Sequence, residues 1–144
     1  MIGEQKKIVL RGRKVIGGQA EGEALVSKMP LMGWGNVDTK SGYTTERNHP
    51  LYEIPFKGKV LVFPEPRGSG GFVGYGRSRY YGNHPAAFIY RKGMALTVFA
   101  AMVAKVPTVT DFDQDPLEII ESGDYVRVDG DKGIVEVFKM GEER

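Results

Sequence analysis

Apolar positions along this chain follow two different patterns, and the change from one to the other falls near the middle. In the N-terminal third the runs are short. Ile8-Val9-Leu10 and Val15-Ile16 predict brief strands punctuated by Gly17 and Gly18, and Glu23-Ala24-Leu25-Val26 predicts another. Between Met29 and Tyr52 no helical period appears, and Gly, Pro, Asn and Asp crowd the stretch. It predicts a long ordered loop with one hairpin at Lys40-Ser41-Gly42. Lys59-Val60-Leu61-Val62-Phe63 and Ala86-Ala87-Phe88-Ile89-Tyr90 are continuous apolar runs instead, the pattern of strands buried on both faces.

Two helices are predicted after them. Over Ala95 to Lys105 the spacing puts Leu96, Phe99, Ala100 and Val103 on one face, and the run ends before Val106-Pro107. Asp115 to Glu121 carries an N-cap aspartate, Pro116 in the first turn and Gly123 as its stop. Tyr125–Asp129 and Ile134–Phe138 then predict a hairpin around Gly130-Asp131-Lys132-Gly133. Strands, a glycine loop, helices and a hairpin in this order argue for an α/β domain with a mixed sheet.

Composition narrows the chemistry. A chain of 144 residues fits one domain over positions 1–144. Twenty Lys and Arg against 18 Asp and Glu leave a formal charge of +2, spread along the chain, which gives no footprint for nucleic acid. The absence of Cys removes disulfides, a cysteine nucleophile and any thiolate-held zinc or iron-sulfur cluster from this chain. The start MIGEQKKIVLRGRKVIGG has no apolar core of a secretory signal, and no run approaches the roughly 20 apolar residues of a membrane span. A soluble cytoplasmic protein is expected.

Candidate chemistry concentrates in residues 64–74, PEPRGSGGFVG. On general grounds a strand followed by a Gly/Pro-rich run and a serine is a turn, and a lone RGSG is a weak motif. It is also a stretch in which glycines free backbone N–H groups around one hydroxyl. Just beyond it, Phe72, Tyr75, Arg77, Arg79, Tyr80 and Tyr81 have the composition of a substrate pocket or subunit interface. Elsewhere the bland readings prevail. His49 and His84 each precede proline and read as turn residues, and Asp111, Asp113 and Asp115 lack the glycine and distal glutamate of a calcium loop. Trp34, between Gly33 and Gly35, reads first as buried packing.

The succession AEGEALVSKMPLMGWGNVD, SGYTTERNHPLY, GKVLVFPEPRGSGG, HPAAFIY, VPTV and GDYVRVDGDKGIVEV resembles the small, swivelling subunit of the aconitase X family, from about Gly18 to Val137. The resemblance implies a swivelling β/β/α domain with a mixed, barrel-like sheet and flanking helices. Family members dehydrate small hydroxy acids. The implied partners are a cysteine-containing large subunit and a small carboxylate or phosphorylated hydroxy-acid substrate, with no nucleic acid and no membrane. It further implies that no cofactor or metal is bound by this chain and that the iron-sulfur cluster sits in the large subunit. Ser69 takes the role of catalytic base, and Arg67, Gly68, Gly70 and Trp34 fall in the substrate-binding surroundings. Members commonly continue with serines where this chain has Gly70 and Gly71.

That role has clear physical demands. Water elimination needs a base for the proton beside the carboxylate and a Lewis acid for the departing hydroxyl. A serine alkoxide needs positive potential and unobstructed N–H donors, which Arg67 and the glycines are suited to supply. The C-terminal half also resembles the mobile phosphohistidine domain of phosphoenolpyruvate-utilising enzymes. Thr97, Val98 and Phe99 stand there in place of Thr-Ser-His, so the phosphoryl-carrying side chain is missing and only the architecture is shared. The alternative from another class is a non-catalytic binding or regulatory module on the same fold.

Overall fold

The structure is a computed structural model, and it describes residues 6–30, 37–38, 40–45, 47–65, 73–92, 102 and 105–140. Ten strands and two helices are described: β1 (Lys7–Arg11), β2 (Arg13–Ile16), β3 (Gln19–Val26), β4 (Val37–Asp38), β5 (Tyr43–Thr44), β6 (Val60–Phe63), α1 (Val73–Tyr80), β7 (Ala87–Tyr90), β8 (Thr108–Thr110), α2 (Pro116–Ile119), β9 (Tyr125–Asp129) and β10 (Ile134–Phe138). Eight of the strands form one mixed sheet in the order β1-β10-β9-β3-β6-β7-β8-β2.

The first and last strands of that order are consecutive in the chain. β1 and β2 meet at Gly12, whose N–H donates to the Gly133 carbonyl at 2.8 Å, so the sheet returns on itself and hides its edges. A Cβ at Gly12 would lie 2.7 Å from the Thr110 carbonyl oxygen. The opposite corner is β3. Its first half pairs antiparallel with β9, Gln19 against Asp129, and its second half pairs parallel with β6, Ala24 against Val60. Gly22 sits at the changeover, where a Cβ would fall on the Gly58 carbonyl oxygen.

Burial follows pairing. In β9 and β10 alternate residues are buried, as expected of an antiparallel sheet wet on one face. β6 and β7 are buried at every position, because both faces are covered. Val60, Val62, Ala87 and Ile89 point inward with Val126, Val128, Val135 and Val137. Leu61, Phe63, Phe88 and Tyr90 point outward, where Leu51 and Phe56 cover them. The outward rings interlock, Phe63 edge-on to Tyr90 at 4.8 Å and to Phe88 at 5.9 Å.

The predicted strands and the final hairpin are present. The turn at Lys40-Ser41-Gly42 closes β4 on β5, held by Asp38, whose carboxylate accepts the Lys40 and Ser41 N–H groups at 3.1 Å. Two expectations change. α2 stops at Ile119 rather than at Gly123, because Ile120 turns extended and inserts into the core. α1 was not foreseen at all. Of the helix expected over Ala95–Lys105 only Met102 and Lys105 are described, Lys105 as a turn residue with φ 58°, and the face residues Leu96, Phe99, Ala100 and Val103 lie outside the described residues. Met102, off that face, is helical and exposed.

Candidate active site

The parallel part of the sheet fixes where the interesting segments begin. β3, β6, β7 and β8 run in the same direction, and ligands of open α/β sheets collect beyond the carboxyl ends of such strands. β6 ends at Phe63, and residues 66–72 follow immediately. β3 ends beside it, the Ser27 N–H donating to the Val62 carbonyl at 2.9 Å, and residues 31–36 follow from there. Both segments that sequence marks for chemistry therefore leave from the same carboxyl end of neighbouring parallel strands. Ser69, Arg67, Gly68, Gly70 and Trp34 themselves lie outside the described residues, as do Phe72 and the positions 97–99.

What is described are the anchors of these segments. The Arg91 N–H donates to the Phe63 and Pro64 carbonyls at 3.2 Å, which locks the end of β6 to the end of β7 before residues 66–72 depart. Arg91 also reaches Asp115 at 3.9 Å. Segment 31–36 has a different anchor. His49, only 4% exposed, accepts the Leu51 N–H on Nδ1 at 3.0 Å, so its proton sits on Nε2 and is donated to the Pro30 carbonyl at 3.2 Å. The buried Ser27 hydroxyl donates to the Met29 carbonyl at 2.8 Å and lies 3.4 Å from the same ring nitrogen.

His49 thus clamps the chain just before the Trp34 segment, a role that a reading of Asn-His-Pro as a turn had missed. Only the contact across 19 residues reveals it. His84 stands at the other end of the parallel strands. Its ring is pushed below its ordinary pKa by burial, then by Arg79 and Lys57, and its Nδ1 is buried without a hydrogen-bond partner among the described residues.

The described residues contain no cluster of His, Cys, Asp or Glu able to hold a metal. Each aspartate of TDFDQDP is already engaged. Asp111 pairs with Arg13, Asp113 accepts the Arg11 N–H at 3.1 Å, and Asp115 caps α2 by accepting the Leu117 N–H at 3.0 Å. Because the chain has no thiol, its donor set does not fit an iron-sulfur cluster. No described helix is long and apolar enough to cross a membrane.

A mixed sheet closed on itself, with parallel strands whose carboxyl ends release the segments of interest, is the swivelling β/β/α class of domain. Residues 9–137 match the aconitase X swivel domain, and the chain belongs to that family. Curated relatives extend over nearly the same length. The phosphomevalonate dehydratase small subunit of Methanosarcina mazei is 37% identical over 137 residues, covering 94% of both chains. That of Methanocella arvoryzae is 39% identical over 130 residues, covering 89% of this chain and 98% of its own. Among solved structures, holo aconitase X of Thermococcus kodakaraensis superposes with a TM-score of 0.82 at 33% identity, over 92% of this chain and 99% of that one.

Proposed function

We propose that this protein is the small subunit of an aconitase X-type hydro-lyase, closing over a cysteine-containing large subunit that carries an iron-sulfur cluster. The observation that carries the reading is its similarity, across 94% of both chains, to a phosphomevalonate dehydratase small subunit. The lack of cysteine supports the same division of labour. The substrate is a small hydroxy acid, and 5-phosphomevalonate is the first to test.

In this reading Ser69 is the base and Arg67 the substrate clamp. The Ser69 alkoxide takes the proton from the carbon beside the carboxylate, the electron pair forms the new double bond, and the neighbouring hydroxyl departs. The cluster in the partner supplies the Lewis acid for that departure. Gly68 and Gly70 leave backbone N–H groups open to hold the alkoxide, and the Arg67 guanidinium offers a planar fork to a carboxylate or phosphate. Trp34, on the segment leaving β3 beside β6, completes the surroundings.

The test is reconstitution with the aconitase X large subunit of the same organism. The complex is expected to convert 5-phosphomevalonate to an unsaturated acid, seen as new ultraviolet absorbance, while either chain alone is inactive. A chain that forms a stable homo-oligomer and binds no large subunit would overturn the proposal in favour of a binding module.

A further inference from the structure

The buried imidazole of His49 has both of its nitrogens partnered, as a ring taken out of water requires. The two bonds do different work. Nδ1 accepts the Leu51 N–H at 3.0 Å, a local bond that fixes the tautomer, whereas Nε2 reaches the Pro30 carbonyl at 3.2 Å, 19 residues back in the chain. His49 itself stands on firm ground. The Tyr52 N–H donates to its carbonyl and the Ile54 N–H to that of Leu51, both at 3.0 Å, and Leu51 and Phe56 are buried in the outer apolar cluster with Leu61, Phe63 and Phe88.

On the Pro30 side the sheet has let go. Among the described residues the last bond from this stretch to β6 is that of the Ser27 N–H to the Val62 carbonyl, and Met29 then turns back onto the Ser27 hydroxyl, donating its N–H at 3.0 Å and accepting at its carbonyl at 2.8 Å. The exit from β3 is thus held by two buried side chains, Ser27 at Met29 and His49 at Pro30. A satisfied buried network of this kind fixes one arrangement where apolar packing would allow several. It does so at the carboxyl end of the parallel strands, where residues 66–72 also depart.

We propose that His49, together with Ser27, is a positioning residue for the reaction: the bond from Nε2 to the Pro30 carbonyl sets the course on which the chain leaves β3, and with it the affinity for the substrate that Trp34 is proposed to contact. This rests on the dehydratase reading above. Neither side chain touches the reacting atoms in this assignment. Each acts through the backbone at the start of the segment.

The two bonds can be removed separately. A Gln carboxamide reaches the place of Nε2 and keeps a donor for Pro30, whereas an Asn carboxamide reaches the place of Nδ1 and keeps an acceptor for Leu51. Each variant loses one buried bond, so the melting temperatures of His49→Gln and His49→Asn should fall alike. Trp34 is the only tryptophan, and its fluorescence in the free full-length chain reports the segment. Its emission maximum and acrylamide quenching should be parent-like in His49→Gln and altered in His49→Asn. In the reconstituted complex His49→Asn should raise the KM for 5-phosphomevalonate about tenfold with kcat within about threefold, and His49→Gln should restore KM to within about threefold of the parent. Loss of folded enzyme alone would lower kcat at the parent KM instead. Ser27→Ala, which frees Met29 and keeps the imidazole, should move fluorescence and KM in the same direction, and it carries the test if His49→Asn does not fold.

Equal fluorescence and equal KM in the two His49 variants, a fall in kcat at the parent KM, or parent-like values in Ser27→Ala would overturn the positioning role and leave the dehydratase reading standing. A change in KM without one in fluorescence, or the reverse, overturns it as well, because affinity would then not travel through the Trp34 segment. A parent complex that is inactive toward 5-phosphomevalonate overturns the dehydratase reading and the role of His49 together.

Discussion

Asp124 has no exposed surface, yet its carboxylate is held by three groups: the Glu121 N–H at 2.8 Å, the Met140 N–H at 2.8 Å and the Lys139 ammonium at 2.6 Å. Its own carbonyl accepts the Ala24 N–H at 2.7 Å, so one residue ties β3, the end of α2 and the chain after β10 together. Removing this buried carboxylate leaves the Glu121 and Met140 N–H groups without their acceptor, while Lys139 keeps the Ile119 carbonyl at 2.6 Å and Glu121 at 3.6 Å. Asp124→Ala is expected to cost about 3 kcal/mol, measured by urea unfolding, and a loss under about 1 kcal/mol would show the junction to be held by its backbone alone. His84 gives a pH dependence whose sign follows from its environment. Burial, Arg79 and Lys57 lower its pKa from the ordinary 6.5, so the unfolded chain binds the proton more readily. Its contribution is whole above about pH 6.5 and is lost as the pH falls from there through the lowered folded value. His84→Gln should flatten that part of the melting-temperature profile, and an unchanged slope would assign it elsewhere. Ser69→Ala in the reconstituted complex should lower turnover by several orders of magnitude with assembly intact, whereas Arg67→Lys should mainly raise KM. Full activity in Ser69→Ala would reduce the glycine loop to a turn. At this scale the sequence marked the candidate base but not its supports. Ser27, His49 and Arg91 act through contacts to backbone carbonyls distant in the chain, which no local pattern announces.

Elements were legible where a period or a cap was strong. β6, β7, β9 and β10 follow from their apolar patterns, and the start of α2 follows from Asp115 and Pro116. α1 was illegible because VGYGRSRY offers glycines and arginines but no apolar stripe. It forms because parallel β6 and β7 are neighbours and need a crossover between them. β8, with three residues, is too short to announce itself. Corners are the elements most exposed to single changes. Gly22 lies where β3 leaves one partner for another, against the Gly58 carbonyl, and backbone cannot move aside as a flexible side chain can. Gly22→Ala is therefore expected to destabilise by about 2 kcal/mol or more, read from the urea midpoint. Gly58→Ala is a different case, for space is open around it and the cost is its positive φ of 70° alone. Equal losses in the two variants would mean that the corner is not tightly packed.

For the whole molecule, closure and dependence on a partner pull in different directions. A sheet whose first and last strands meet at Gly12 has its core enclosed by its own strands, with Leu10, Val60, Val109, Val126 and Val135 each hidden from solvent. Nothing in that core waits for another chain, so the domain should fold alone. The chemistry is different, because a chain without thiols cannot hold the cluster that the proposed reaction draws on. The expected behaviour of the isolated chain is thus a cooperative melt, no dehydration of 5-phosphomevalonate and no iron-sulfur absorbance, even after anaerobic incubation with iron and sulfide. Adding the large subunit should bring activity and the chromophore together, with the iron accompanying the large chain when the two are separated. Iron retained by this chain after separation would mean that oxygen and nitrogen ligands outside the described residues hold it, and the division of labour between the two subunits would have to be redrawn.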